Sequence, residues 1–557
     1  MPTSAGAAAT VGADTPVLQL ENLRLHYPGS ADATLNGLSL ELGAGDRLAL
    51  VGPSGCGKST VARAVMQLLP AGSRCEGGLL LCGRDPRRLP SAGLRRLRGE
   101  AAGLVFQDPM TRLNPLLTVG RHLSDTLSAH RPDWTRQQVA RRCRDLLERV
   151  GIGAARSRAY PHEFSGGMRQ RLAIALAIAL EPPLVIADEP TTSLDVAVAG
   201  QVMAELSGLC RELGSALLLI SHDLAMAARW CDRMAVLDQG RVVEIGPAAR
   251  VLTAPRAELT RRLVAAARRR EGEGTPDLPD RSEAPRPVLQ VEDLRCWHNL
   301  APLPWQRQWL KAVDGVDLVV RAGETVGVVG ASGCGKSTLC RALMGLVPIR
   351  GGRVRLDGVD LAGLPSGRRR LARRGMQMVF QDPLACLNPT MTVLDAVADP
   401  LRIHGLAGRS AARERARLLL EQVGLSPAEH FGERRPRQLS GGQQQRVAIA
   451  RALILEPRLL VCDESVSMLD AEVQAEVLAL LRGLQERLGL AMVFVTHDLA
   501  VAGGFCHRLI VLERGRIVEQ GPGDALLQAP QAAITRTLVE ACPRLPVSPA
   551  TAGDAGP

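Results

Sequence analysis

Two stretches of this chain share one arrangement of glycines around a lysine and a hydroxyl. They are Gly52-Pro53-Ser54-Gly55-Cys56-Gly57-Lys58-Ser59-Thr60 and Gly330-Ala331-Ser332-Gly333-Cys334-Gly335-Lys336-Ser337-Thr338. Both fit G-x-x-x-x-G-K-[ST], a backbone pattern that cradles phosphate. The glycines let the chain close around an anion and turn its N–H groups inward. The lysine reaches the β- and γ-phosphates of a nucleotide, and the Ser59 or Ser337 hydroxyl ligates Mg²⁺. Glycine-rich loops are common, but a second signal supports this reading. Of 68 basic residues three are lysine, namely Lys58, Lys311 and Lys336. A compact ammonium enters a closed cradle where a planar guanidinium fork does not.

Two acidic pairs complete the chemistry. Leu184-Val185-Ile186-Ala187-Asp188-Glu189 and Leu459-Leu460-Val461-Cys462-Asp463-Glu464 are apolar strands ending in two carboxylates. An acid there faces the phosphate loop across the carboxyl edge of a sheet. Asp188 and Asp463 would hold Mg²⁺ through water, while Glu189 and Glu464 would polarise an attacking water. Many strands end in a solvated acid, so it is the pairing with a phosphate loop that carries the reading. Phe164-Ser165-Gly166-Gly167-Met168 and Leu439-Ser440-Gly441-Gly442-Gln443 each open an amphipathic run. Such a start is either a helix cap or a second anion site. Its occurrence twice, just ahead of the acidic strand, favours the anion site.

The elements that must position these residues follow from the pattern around them. Leu48–Val51 reads as a buried parallel strand and Val61–Met66 as a helix, so the loop joins a strand end to a helix start. Apolar strands alternate with arginine-rich amphipathic stretches, which predicts α/β domains with a mainly parallel sheet. The chain does this twice. Gln107 and Gln381 lie 274 residues apart, and Ser165/Ser440, Asp188/Asp463 and His222/His497 each lie 275 apart. We therefore expect a tail over 1–15, one domain over 16–267, a charged, proline-rich linker over 268–287, a second domain over 288–543 and a tail over 544–557. Residues 136–150 carry apolar positions at helical spacing (Val139, Cys143, Leu146, Leu147, Val150), and 413–423 are the counterpart; both belong to a helical insertion in each copy.

Composition narrows the class. Hydrophobic residues make up 46% and charged residues 22%, an ordinary globular balance. The net charge of +11 reads as solvated arginine faces, and no nucleic-acid partner is inferred from it. The longest apolar run, Leu172 to Leu180, is far short of the ~18 residues that span a bilayer. The N-terminus lacks the charge and apolar run of a leader. Thirteen cysteines without a C-x-x-C pair argue for a reducing compartment and against a zinc or disulfide framework. Cys56 and Cys334 read as small, tolerated side chains.

With all of these in order, the chain resembles the ABC ATPases. The phosphate loop, glutamine loop (Gln107, Gln381), Ser-Gly-Gly signature, Asp-Glu strand, Ser-x-Leu-Asp loop (Ser193 to Asp195, Ser467 to Asp470) and switch histidine (His222, His497) each occur twice. The fold this implies is two tandem P-loop NTPase domains of the ABC type. In that family two domains pair head to tail around two ATP molecules. Carried over, the two copies pair within one chain: Lys58, Gln107, Asp188, Glu189 and His222 would meet Ser440 and Gly442, and Lys336, Gln381, Asp463, Glu464 and His497 would meet Ser165 and Gly167. The resemblance implies Gln107 and Gln381 near Mg²⁺, the histidines at the γ-phosphate, and Asp195 and Asp470 at the nucleotide.

A finer resemblance lies in Gln107-Asp108-Pro109-Met110-Thr111-Arg112-Leu113-Asn114-Pro115 and Gln381-Asp382-Pro383-Leu384-Ala385-Cys386-Leu387-Asn388-Pro389, which look like glutamine loops of oligopeptide, dipeptide and nickel import ATPases. This implies ATP-driven peptide uptake, with nickel as the alternative. It also implies two transmembrane permease subunits, an extracytoplasmic binding protein and a peripheral location on the cytoplasmic face of the membrane. The family's C-terminal His-Pro-Tyr element is degraded to Ala254–Thr260 and Ala529–Thr535, and Ser465 stands where the first copy has Pro190. A soluble tandem ABC ATPase acting on ribosomes or DNA is the rival; the short, proline-broken linker and the lack of zinc-type cysteine pairs argue against it. Adenine stacks on an aromatic residue ahead of the phosphate loop. Tyr27 serves in the first copy, whereas the second offers Trp297-His298 and then Trp305 and Trp309. The site built on Lys336 is therefore expected to turn over ATP less well.

Overall fold

The computed structural model describes residues 16–108, 112–192, 194–272, 286–299, 308–467 and 469–546. The expected tail over 1–15, residues 109–111 of the first glutamine loop, Ser193, linker residues 273–285, Trp305, Met468 and residues 547–557 lie outside them. The chain divides into two compact units. The first holds Met1–Leu194, Val198–Ala267 and Pro543–Pro557, and the second Asp195–Ala197 and Arg268–Cys542.

The first unit contains β1 (Leu18–His26), β2 (Leu35–Leu42), β3 (Arg47–Val51), β4 (Arg74–Leu81), β5 (Ala102–Val105), β6 (Leu184–Asp188), β7 (Ala216–Ile220), β8 (Arg233–Asp238) and β9 (Arg241–Pro247). β2-β1-β4 form an antiparallel sheet, and β5-β6-β7-β3-β8-β9 form a six-stranded sheet that is parallel except for the β8–β9 pair. The parallel strands are short continuous apolar runs because both faces are covered. Their side chains alternate. Leu48, Leu50, Leu184 and Ile186 join the core shared with the antiparallel sheet and helix Lys58–Val65. Ala49, Val51, Val185 and Ala187 join the core under the other helices, among them Val196–Leu213. Between β5 and β6 run helices Val119–His130, Arg136–Arg149 and Gly166–Ala177, the expected insertion. In Arg136–Arg149 a Thr135–Gln138 capping box starts the helix, and the buried face is Val139, Cys143, Leu146 and Leu147.

The second unit repeats the plan with β10 (Pro287–Asn299), β11 (Trp309–Arg321), β12 (Thr325–Val329), β13 (Gly351–Leu356), β14 (Val359–Asp360), β15 (Met376–Val379), β16 (Leu459–Asp463), β17 (Ala491–Val495), β18 (Arg508–Glu513) and β19 (Arg516–Pro522). Its sheets run β11-β10-β13-β14 and β15-β16-β17-β12-β18-β19. In each unit the connection leaving the strand before the phosphate loop runs toward one edge of the sheet (β3 to β5, β12 to β15), while a later one crosses to its other side (β7 to β8, β17 to β18). That is the switch point at which an open α/β sheet leaves a crevice for ligands.

Two elements run across the expected edges. Helix Glu258–Gly272 runs past residue 267 into the expected linker, because Ala and Arg continue the helical run up to Gly272 and no proline interrupts it. The expected tail from 544 is anchored at its start: Leu545 is 8% exposed and belongs to the first unit's buried core.

The degraded His-Pro-Tyr element has a structural use. Glu244 on β9 is 7% exposed, and its carboxylate accepts the backbone N–H groups of Arg256 (3.0 Å) and Ala257 (3.0 Å) at the start of helix Glu258–Gly272. Glu519 does the same for Gln531 (2.8 Å) and Ala532 (3.0 Å) ahead of helix Ala533–Ala541. Burial disfavours the Glu244 charge, but the backbone donors outweigh it and hold the carboxyl below its usual range. Its stabilising effect is therefore present above the ordinary glutamate pKa and is lost as pH falls through the depressed folded value. Glu244→Ala is expected to cost about 1–3 kcal/mol by removing the acceptor of two backbone N–H groups at the helix start. Hydrogen exchange over Glu258–Gly272 reads this, and unchanged protection in the variant would refute it.

Candidate nucleotide site

Each unit builds its own constellation at the carboxyl edge of its parallel sheet. Gly57 and Gly335 precede helices Lys58–Val65 and Lys336–Leu343 with φ of 106° and 113°. A Cβ on Gly335 would lie 2.0 Å from the Ala312 carbonyl oxygen, so the close turn requires glycine. Lys58 is 7% exposed and donates to the carbonyls of Gly52 (2.8 Å) and Pro53 (2.9 Å). Lys336 donates to Gly330 (2.7 Å) and Ala331 (3.0 Å). Lys336 also points to Cys334 Sγ at 3.9 Å, so each lysine is oriented by the backbone of its own loop. Ser54, Gly55, Ser332 and Gly333 are exposed at the loop tips, while Cys56 and Cys334 are buried beneath. Burial raises both thiols, as expected of packing rather than reacting cysteines.

Beside each loop lie the acidic strand ends. Ser59 Oγ donates to Asp188 Oδ1 at 2.9 Å, and Ser337 Oγ to Asp463 Oδ1 at 3.3 Å. Burial pushes both aspartates above the usual carboxylate range, against the pull of their serines. A raised, buried carboxylate beside a hydroxyl is a hard-oxygen pair that gains from a cation, and it fits Mg²⁺. One residue on, Glu189 and Glu464 take left-handed backbones with φ of 45° and 47°. Such a conformation in a non-glycine residue is strained, and strain of this kind concentrates at functional sites.

The turn brings each glutamate to two side chains distant in sequence. Glu189 Oε2 accepts Gln107 Nε2 at 2.9 Å, and Oε1 lies 3.2 Å from His222 Nδ1. Glu464 Oε2 accepts Gln381 Nε2 at 2.9 Å and lies 3.6 Å from His497 Nδ1. Thr192, absent from the sequence reading, donates to Glu189 Oε2 at 3.0 Å, whereas Ser467 reaches the Glu464 backbone carbonyl instead. That difference was legible only as threonine against serine three residues after the glutamate.

Burial disfavours charge on His222, but the hydrogen bond to Glu189 and its charge outweigh this and raise the imidazole above its usual value. Burial likewise disfavours charge on Glu189, and His222 nevertheless lowers its carboxyl. The pair therefore contributes stability that is lost as pH rises through the raised histidine value and also as pH falls through the depressed glutamate value. The His222 ring is expected to titrate above about 6.5 by NMR and to fall when Glu189 becomes Gln. An unchanged midpoint would refute the coupling.

The signature residues sit at helix starts. Ser165 Oγ accepts Met168 N at 3.4 Å and Ser440 Oγ accepts Gln443 N at 3.4 Å, so both serines cap the helices opened by Gly166 and Gly441. A Cβ on Gly167 would lie 2.4 Å from Val198 Cγ1, and one on Gly442 2.4 Å from Val473 Cγ1. Neither serine is hydrogen-bonded to the cluster of its own unit. Asp470 caps helix Ala471–Leu488 by accepting Val473 N at 3.0 Å, and Asp195 is buried just ahead of Val196–Leu213.

Tyr27 follows β1 and its hydroxyl lies 3.2 Å from Thr60 Oγ1, beside the phosphate loop. Thr338, the counterpart of Thr60, is partly exposed. Pairing within the antiparallel sheets sets Leu23 opposite Leu38 and Leu294 opposite Val316, which makes His298 the register equivalent of Tyr27. Trp297 takes Lys311 on its ring at 4.9 Å, and Trp309 takes Arg350 at 4.5 Å.

Comparison with known proteins agrees with this geometry. The ABC transporter family model matches residues 35–192 and 313–467. The chain is 40% identical over 94% of its length, and 96% of the relative's, to the peptidoglycan transport ATP-binding protein YejF of Agrobacterium fabrum. It is 38% identical over 95% of its length, and 89% of the relative's, to the glutathione import ATP-binding protein GsiA of Escherichia coli K12. The chain belongs to the ABC transporter family, as the ATP-binding, ATP-hydrolysing subunit of an importer with two ABC domains in tandem.

Proposed function

We propose that this ATPase drives uptake of peptide-like solutes, working from the cytoplasmic face of the membrane with two permease subunits and an extracytoplasmic binding protein. Glutathione, named for one relative, is a tripeptide, and peptidoglycan, named for another, is built on peptide cross-links. Among the described residues no helix is long and apolar enough to cross a membrane, so permeases would have to supply the passage.

The observation that carries the mechanism is the Gln–Glu–His array present in both units. Glu189 and Glu464 are placed to take a proton from the attacking water, with His222 and His497 beside them to hold that carboxylate and contact the γ-phosphate. Ser59, Asp188 and Gln107, with Ser337, Asp463 and Gln381, would hold Mg²⁺. The ion, when bound, neutralises phosphate oxygens. Because Gln107 is bonded directly to Glu189, a permease that moves the glutamine loop alters the hydrolytic carboxylate. Leu116, 82% exposed just beyond Asn114-Pro115, offers an apolar contact for that partner.

Uptake in cells lacking this chain, complemented with the wild type or with Lys58→Ala/Lys336→Ala, tests the reading. Dipeptides, glutathione and Ni²⁺ are assayed side by side. Peptide uptake restored by the wild type alone supports it. Restored Ni²⁺ uptake without peptide uptake would replace it with the nickel branch.

A further inference from the structure

The two copies differ at the seam where the helical insertion meets the parallel-sheet core. In the first unit that seam is pinned by charge. Arg142 on helix Arg136–Arg149 reaches Glu181 ahead of β6 at 2.7 Å and Asp145 at 2.9 Å. Arg149 reaches Glu212, near the end of helix Val196–Leu213, at 3.0 Å.

The second unit keeps the helices but has no counterparts of these two arginine pairs among the described residues; there the seam is joined by Arg446 to Glu476 at 2.8 Å. Helix Arg409–Gln422 matches Arg136–Arg149 in length, with buried Ala412, Ala416 and Leu420 standing for Val139, Cys143 and Leu147, while Leu419, in the place of Leu146, is partly exposed. In that register Arg415 stands for Arg142, Leu418 for Asp145 and Gln422 for Arg149. In the equally matched 18-residue helices, Arg487 stands for Glu212. Glu456 keeps the place and left-handed backbone of Glu181, with φ of 51° against 53°, yet no ion pair joins it to Arg415 among the described residues.

Beside Arg415 and Arg487 lies a groove of about 810 Å³ in the second unit. Leu419, Ile454 and Leu484 lie in its lining, and Leu418 and Leu488 remain 47% and 60% exposed there. Arg286, Arg415, Arg458 and Arg487 stand around it against two acids, Glu456 and Asp357. Asp357 pairs with Arg458 at 3.1 Å, while Arg415 and Arg487 have no ion-pair partner among the described residues. A cavity of this size with an apolar lining and a few convergent charges has the character of a small-molecule site.

The geometry points to a site for a small amphipathic anion, a single acyl chain ending in a carboxylate. The leucines take the chain, and Arg415 and Arg487 take the charge in the way Arg142 and Arg149 take carboxylates in the first copy. The occupant bridges the helical insertion and the core, so it restrains their relative motion and slows ATP turnover. This site is separate from the nucleotide constellation and does not depend on the solute transported.

Calorimetric titration of the full chain with dodecanoate, below its micelle concentration, tests the site against dodecyltrimethylammonium and acetate. Dodecanoate should bind and lower ATPase activity, while the cation and acetate should do neither. Leu418→Asp/Gln422→Arg/Arg487→Glu, which restores the first copy's residues, should weaken dodecanoate binding about tenfold or more and remove the ATPase effect. Arg415→Ala/Arg487→Ala leaves the groove open and should lose the preference for the anion. Equal binding of the cationic detergent, or unchanged dodecanoate binding in both variants, would overturn the proposal.

Discussion

Alanine at both Lys58 and Lys336 is expected to lower ATP turnover by about a hundred- to a thousandfold, the usual effect of losing one preorganised group that stabilises developing charge. Both ammonium groups are buried and aimed by two carbonyls of their own loops, so no reorganisation is needed when a phosphate arrives. Arginine should not rescue either position, because its fork is too broad for a cradle closed by Gly57 or Gly335. Steady-state phosphate release measures the effect, with circular dichroism confirming the fold. Turnover within tenfold of the wild type would show that the loops are not the nucleotide site.

Glutamine at Glu189 is expected to lower hydrolysis about a hundred- to ten-thousandfold while ATP binding persists, since the amide keeps the shape and loses the base. It also removes the charge that raises His222, so the histidine titration and the rate should fall together. Glu464→Gln should cost less of the total. His298 stands in register where Tyr27 stands in the first copy, and Ser467 does not brace the Glu464 carboxylate as Thr192 braces Glu189. Equal losses in the two single variants would refute this inequality between the sites.

Motifs and periodicity made much of this legible. The phosphate loops, acidic strand ends and glutamine and histidine positions were readable because each needs particular side chains at fixed spacing beside a strand end. The alternating strands and the buried face of helix Arg136–Arg149 were readable because burial enforces periods of two and 3.6. The continuation of helix Glu258–Gly272 past residue 267 was not read because the charged, proline-rich composition of 268–287 reads as linker. The Glu244 and Glu519 caps escaped notice because a lone glutamate in a strand has no signature until the backbone N–H groups it satisfies fold over it.

The sequence by itself determined the class of the chain: two copies of a nucleotide-binding α/β domain whose loop, acids, glutamine and histidine recur in one order. Only the tertiary structure decided that the signature serines cap their own helices, that the glutamates sit in left-handed turns bonded to glutamine and histidine, and that the ion pairs made by Arg142 and Arg149 have no counterparts among the described residues of the second copy. The reason is physical. Chemistry near a loop is written in local spacing, whereas a cap, a strained turn or a missing ion pair depends on which distant groups the fold brings within about 3 Å.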